Sequence, residues 1–411
     1  MRTSSTRHRG RHAAVTAVFS LLLVGAAGAP ASAESTREEQ WFLDAMKAEQ
    51  MWQTSTGEGI KVAVVDTGVD PNNADLKGRV LPGKDLAPDQ SGDEHTDYEG
   101  HGTGMAGLIA GTGAYGGGKG AFGLAPGSKI LPIRLPKDGT DNLAAGNKAF
   151  NEALVPAIRY AADEGAKVIN ISQGASDGSP QVTAAVEYAL RKGSLIFAGV
   201  GNDGNKANEI MYPAATPGVV GVAAVGKDLR RTDVSEYGPQ VDMAAPGEDM
   251  LHACGGETGL CETSGTSDAT ALASASAALI WSKHPTWTNN QVLRVMLNTI
   301  GAPTDGKKRN DAIGYGIVRP RIALQNPGDP GEADVYPLPD LSAAEASASP
   351  SSNASATEAG NPPAKGAGSQ TSASSSEDNG STSLWIGLGI GAAVLGGALA
   401  AGFAIARRQR A

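Results

Sequence analysis

Two kinds of stretch alternate along the chain. Short apolar runs occur at "KVAVVDTG" (61–68), "AKVINIS" (166–172), "SLIFAGVG" (194–201) and "GVVGVAAVG" (218–226). Between them lie segments of helical pattern: "HGTGMAGLIAG" (101–111), "ALVPAIRYAADEG" (153–165) and "TAAVEYALRKG" (183–193), the last two closed by a glycine. Strands apolar on both faces and separated by helices predict an α/β fold, with a mostly parallel sheet covered on both sides. In such sheets ligands sit beyond the carboxyl ends of the strands. Asp66, Ser172 and Asn202 stand at three of those ends. A further stretch, "SGTSDATALAS" (264–274), sets Ser267 after Gly265 and ahead of a small-residue helix. Taken alone it reads as a helix N-cap.

The two ends of the chain depart from this alternation. Arg2, Arg7, Arg9 and Arg11 precede the apolar run around Leu21–Val24, and Ala31-Ser32-Ala33 fits a cleavage site, so residues 1–33 read as a secretory signal. Residues 384–406 carry no charge and are long enough to cross a hydrocarbon core of about 30 Å. Arg407, Arg408 and Arg410 follow, which keeps a 407–411 tail in the cytoplasm. Residues 326–383, rich in Ser, Ala, Pro, Gly and Glu, predict a disordered stalk. The expected order is signal 1–33, N-terminal extension 34–58, globular domain 59–325, stalk 326–383, transmembrane helix 384–406 and tail. The globular domain then stands outside a cell membrane, held by a single pass.

Charge and cysteines narrow the function. Setting aside the four signal and three tail arginines takes the formal charge from −9 to −16, which disfavours nucleic acid or anionic lipid as a partner. Cys254 and Cys261 are the two cysteines, seven apart in an exported chain, and predict a disulfide. So short a loop contributes roughly 2–3 kcal/mol by chain entropy. Two thiols without a nearby His pair make a poor metal site.

A serine hydroxyl needs a base, and the base needs a group that fixes its tautomer and stabilises its charge. Past the signal the histidines are His95, His101, His252 and His284. His284 closes the helix after Ser267, where the helix dipole accounts for it. His252 reads as part of the cysteine loop, and His95 as part of a solvated acidic loop. His101 alone lies between glycines at the head of a helix, where the backbone approaches a neighbouring strand closely. Asp66, at the end of a buried strand, is a carboxylate that wants a partner, though taken alone it reads equally as a structural Asx-turn.

"VAVVDTGVD", "GHGTGMAG" and "SGTSDATA" resemble, in order and content, the three signature blocks of the subtilisin-like serine proteases, and the similarity runs from about Gly59 to Arg321. The resemblance implies a subtilisin-like three-layer fold. In it Asp66 orients, His101 is general base and acid, and Ser267 is the nucleophile. "GVGNDGN" resembles the segment bearing the family's oxyanion asparagine, which carries over to Asn202. "NISQGAS" and "AGVG" resemble the strips lining the substrate groove, namely Ser172, Gln173 and Gly174, and Gly199, Val200 and Gly201. Asp268 stands where the family has an apolar residue, Ala271 where a proline is common, and Gln173 where leucine is usual. A carboxylate after the nucleophile is expected to weaken catalysis or shift its pH range. The loop "GTGAYGGGKGAFG" lacks the asparagines of the family's calcium loop, so no metal and no cofactor are expected. The region before Asp66 is too short for a separately folding inhibitory propeptide. "REEQWFLDAMKAEQMW", the stalk and the anchor together resemble the mycosins, membrane-bound subtilases of type VII secretion. The expected function is an extracytoplasmic serine endopeptidase acting on protein or peptide substrates of that system. The alternative is a structural assembly subunit of the secretion complex in which proteolysis is secondary.

Overall fold

Strand β1 (Lys61–Asp66) lies at the middle of the sheet because its alternate residues feed two different cores. Val62 and Val64 pack with one set of helices, Ala63 and Val65 with the other. The computed structural model describes residues 35–348 apart from 138, 139, 141 and 256–258. The other strands are β2 (Lys84–Asp85), β3 (Lys129–Arg134), β4 (Val168–Ile171), β5 (Leu195–Gly199), β6 (Val219–Val225), β7 (Met243–Pro246), β8 (Met250–Ala253) and β9 (Leu260–Thr263). The main sheet runs β2-β3-β1-β4-β5-β6-β7 with every pair parallel, and β8-β9 is a separate antiparallel hairpin. The helices are α1 (Thr36–Glu39), α2 (Trp41–Met46), α3 (Ala48–Trp52), α4 (His101–Ala110), α5 (Tyr115–Gly118), α6 (Leu143–Asp163), α7 (Pro180–Arg191), α8 (Thr266–Lys283), α9 (Asn289–Asn298), α10 (Pro320–Gln325) and α11 (Asp340–Ala348).

Helices α6 and α7 cover one face; α4 and α8, backed by α9 and α10, cover the other. This is the three-layer α/β fold expected of a subtilisin-like chain. Helix α8 is buried along almost its whole length because Ala, Ser and Thr let it approach the sheet closely. Its buried hydroxyls are satisfied: Thr270 and Ser276 bond back to Thr266 and Leu272 carbonyls, and Ser274 donates to Asn170 Oδ1. Leu272, Leu279 and Ile280 are wholly buried, each contributing about 1.5–3 kcal/mol through lost apolar exposure.

Several local expectations need correction. Helix α6 starts ten residues before Ala153, capped by Asn142 accepting from Ala145 N–H. Strands β3 and β7 hold Pro132 and Pro246, which argue against strand in a sequence. The stalk does not begin at 326. Residues 330–335 offer carbonyls to Arg294, Gln291 and Asn290, Leu338 is buried, and Asp340 Oδ2 accepts from Gly218 N–H at 2.6 Å. A few side chains such as Tyr336 and Leu338 anchor a segment whose average composition reads as unfolded. The N-terminal extension is likewise part of the domain. Buried Gln40 donates to Phe122 and Leu251 carbonyls and accepts from Phe122 N–H, while Trp41 and Trp52 donate to Glu248 and Leu124 carbonyls. Among the described residues no helix is long and apolar enough to cross a membrane. The expected signal, most of the stalk, the transmembrane helix and the tail lie outside the described residues.

Candidate active site

Register aligns the carboxyl ends of three strands. Val65 pairs with Ile171 and Ile171 with Ala198, so Asp66, Ser172 and the Gly199–Asn202 segment share one edge of the sheet. Helix α4 meets that edge through Gly102, where a Cβ would sit 2.1 Å from the Gly68 carbonyl oxygen and 3.0 Å from Asp66 Cβ. No other residue permits the approach, and it delivers His101 Nδ1 to 2.7 Å from Asp66 Oδ1. Asp66 is fully buried; Oδ1 also accepts from Thr67 N–H at 2.8 Å, and Oδ2 is buried without a partner. The Asp66 charge raises the His101 pKa to about 9, against the opposing effect of burial. The imidazole remains 31% exposed. Beside Gln173 and Gly174, whose strip continues β4, lies a cleft of about 510 Å3 also lined by Tyr98, Leu135, Leu143 and Phe150.

A residue the sequence reading passed over holds the head of α4. Asp97 accepts from Gly100 N–H and Thr103 N–H, each at 2.7 Å, and from the hydroxyls of Thr67 and Thr103. Gly100 takes a left-handed φ of 80° as the N-cap. The acidic loop is therefore not simply solvated: it caps the histidine helix. His95 is also half-buried, with Nε2 3.1 Å from the Leu81 carbonyl.

Ser267 is not an N-cap. Gly265 holds that position with an extended backbone, and a Cβ there would lie 3.2 Å from Asn202 Oδ1. The capping oxygen comes from another segment: Asn202 Oδ1 accepts from Thr266 N–H at 2.9 Å. This fixes the amide, with its carbonyl on the helix and Nδ2 free to donate elsewhere. The Ser267 hydroxyl donates to the Ser172 carbonyl at 3.1 Å, and Ser172 Oγ donates back to the Ser267 carbonyl at 3.2 Å. Asn170, buried in β4, steadies Ser172 by donating to its hydroxyl at 3.0 Å. Asp66 and His101 are thus joined directly, and Ser267, Ser172 and Asn202 gather around the first turn of α8. The Ser267 hydroxyl is bonded to the Ser172 strip and not to His101.

The second strip is mixed. Gly199 and Gly201 are half-exposed, but Val200 is wholly buried in the core and its N–H is taken by Val222, so its side chain does not line the groove. Gly201 has φ 114°, and a Cβ would meet the Glu236 carboxyl 2.3 Å away. Burial raises the Glu236 pKa to about 7.

Two expectations about the Asp268 region change. His252 is a buried residue of β8 and not part of the loop, with Nε2 2.8 Å from Thr263 Oγ1. The Asp268 carboxylate is turned inward to Thr263 Oγ1, and burial raises its pKa to about 6. Cys254 and Cys261 form the disulfide, with Cα atoms 5.8 Å apart. Asp75 organises the glycine-rich loop by accepting from Tyr115 and Ala121 N–H. Among the described residues no three His, Cys, Asp or Glu side chains are grouped to hold a metal.

The family model for the subtilase family matches residues 57–316. Thermitase of Thermoactinomyces vulgaris is 36% identical over 244 residues, 59% of this chain and 82% of that protein. The crystal structure of MycP1 from Mycobacterium smegmatis superposes with a TM-score of 0.63 at 28% identity, covering 75% of this chain and 89% of that one. The MycP3 protease of the type VII (ESX-3) secretion system gives 0.61 at 32% identity, covering 72% and 90%.

Proposed function

The chain belongs to the subtilase family of serine proteases, and on that premise we propose that it cuts peptide bonds through Asp66, His101, Ser267 and Asn202. One observation carries the reading: the 2.7 Å bond from His101 Nδ1 to buried Asp66, which fixes the tautomer that leaves Nε2 for the hydroxyl. An extended substrate pairs with the Ser172–Gly174 strip by strand addition. Its N–H claims the Ser172 carbonyl that now accepts from Ser267, so the hydroxyl turns toward His101. His101 takes the proton as Oγ attacks the carbonyl carbon, and Asp66 stabilises the imidazolium. The oxyanion accepts from Asn202 Nδ2 and the Ser267 N–H, with the α8 N-terminus adding its dipole. Collapse passes the His101 proton to the leaving amine, and water then releases the acyl group by the reverse sequence.

The reading extends to location and partners. The 1–33 and 384–411 patterns support a catalytic domain displayed outside the cell membrane on a single-pass anchor, and the mycosin neighbours support type VII secretion substrates or components as targets. The resting bond of Ser267 to Ser172 favours a second reading, an assembly subunit in which proteolysis is secondary. Ser267→Ala tests the first: hydrolysis of a peptide substrate falls by about 10⁶ with an unchanged thermal melt. A loss under tenfold would overturn it. Comparing the exported proteins of cells carrying Ser267→Ala with those lacking the whole chain separates the two readings. Processing products vanish in both if proteolysis is the role, whereas export itself fails only in the deletion if assembly is.

A further inference from the structure

A second histidine and a second carboxylate meet behind the nucleophile. Asp268, on the first turn of α8, and His252, on β8, are 2% and 1% exposed. Thr263 of β9 stands between them, its hydroxyl 2.5 Å from Asp268 Oδ1 and 2.8 Å from His252 Nε2, while the direct separation is 3.7 Å. His252 Nδ1 lies 2.9 Å from the Ala253 carbonyl, which only accepts, so Nδ1 carries a hydrogen. With Asp268 ionised and His252 neutral, the single hydroxyl proton faces two acceptors and leaves one unsatisfied. One further proton, on Oδ1 or on Nε2, completes the chain and makes it neutral overall. The ring also touches the catalytic helix: a Cβ on Gly104 would be 2.7 Å from His252 Cε1, one turn along α4 from His101.

We infer that His252, Thr263 and Asp268 form a buried relay holding one shared proton, and that Asp268 is a positioning residue whose ionisation favours the imidazolium of His101. The inference rests on His101 being the general base. Burial pushes Asp268 up to about 6 and His252 down to about 4, so the shared proton sits toward the carboxylate and leaves below neutrality. The groups facing this relay are consistent with that sign. The His101 charge on α4 pulls both relay members down, and Asp66 on β1, then Asp268, then Asp97 before α4 raise His101. Once the proton leaves, an anion stands behind Ser267, and His101 gives up its own proton at a higher pH than Asp66 alone would set. The residue that departs from the family pattern thereby acts on the base from behind the nucleophile.

The test is the pH profile of kcat/KM for the full chain and two variants. Asp268→Asn moves the acid limb to lower pH by about 0.5–1 unit. Thr263→Val is nearly isosteric and removes the donor that favours the ionised carboxylate; Asp268 still ionises below the limb, so the limb stays near wild type while the pH range over which the melting temperature falls with Asp268 ionisation extends upward. An Asp268→Asn limb that coincides with wild type overturns the positioning role, and a Thr263→Val melting profile with the pH dependence of wild type overturns the relay. Should Asp268→Asn not fold, Asp268→Ala takes its place, supported by NMR titration of the His101 ring in Ser267→Ala protein with and without Asp268→Ala. Fluorophosphonate labelling of His101→Ala separates the two layers. Labelling as fast as wild type removes the base assignment and the relay with it; labelling that needs His101, with an unmoved Asp268→Asn limb, removes the positioning role alone.

Discussion

Two histidine–carboxylate pairs meet at helix α4, one through its first residue and one packed against it, and their environments drive them in opposite directions. His101 touches Asp66 directly at 2.7 Å and keeps 31% of its side chain exposed; its pKa rises to about 9. His252 reaches Asp268 only through Thr263 and is 2% exposed in its side chain; its pKa falls to about 4. The difference lies in which effect leads. An ionised carboxylate in direct contact outweighs burial for the first, whereas for the second desolvation is the largest cause. On the proposed mechanism the exposed ring exchanges protons with a substrate, whereas the buried ring stays neutral above about pH 4.

Removing the first pair is the largest expected effect. His101→Ala lowers kcat by about 10⁶ and Asp66→Asn by about 10⁴, in steady-state hydrolysis of a peptide substrate. A loss under a hundredfold in His101→Ala would make the two pairs equivalent and end the contrast. Next comes Asn202→Ala, which loses about 10²–10³ in kcat with KM nearly unchanged, because the oxyanion exists only in the transition state. Asn202 also caps α8, so its removal lowers the melting temperature by the equivalent of about 1 kcal/mol. An unchanged kcat with a lowered melt would leave it only the capping role.

The second pair should show itself in stability. Asp268 has a folded pKa raised to about 6 from 3.8, so its contribution is fully present below 3.8 and is lost as pH rises through 6. His252 has a folded pKa lowered to about 4 from 6.5, so its contribution is present above 6.5 and is lost as pH falls through 4. Asp268→Asn removes the first dependence, and its melting temperature therefore gains on wild type between pH 5 and pH 8. Parallel melts over that range would mean that folded Asp268 is already ionised at pH 5. The smallest effect on activity comes from reducing Cys254–Cys261, which leaves kcat within a few fold although it lowers stability by roughly 2–3 kcal/mol.

The residues proposed to act directly were the legible ones. Asp66 and His101 stood out because a strand-end carboxylate and a histidine between glycines each pose a problem that only the other solves. Gly102 shows why the glycine was needed. The supporting residues were hidden because their partners are remote in sequence: Gln40 spans 82 and 211 positions to reach Phe122 and Leu251. Asp97 looked like one acid among several, since capping depends on a backbone path that composition does not reveal. Asp268 was visible as a departure, but its direction was not, because Thr263 and His252 are set opposite it only by the β8–β9 hairpin. Composition likewise misplaced the start of the stalk, where Tyr336, Leu338 and Asp340 dock a Pro- and Asp-rich segment.

The central claim is that His101, charged through Asp66, governs the reactivity of Ser267. The most direct measurement is the rate of fluorophosphonate labelling at Ser267 from pH 5 to pH 10, in wild type and in His101→Ala. The imidazole is a base only when deprotonated, and its pKa is raised to about 9. Wild-type labelling should therefore climb with pH along a limb well above 6.5 and fall away as pH drops through it. His101→Ala should be slow and should lack that limb. Equal rates in the two proteins, or a wild-type limb at or below 6.5, would contradict the account.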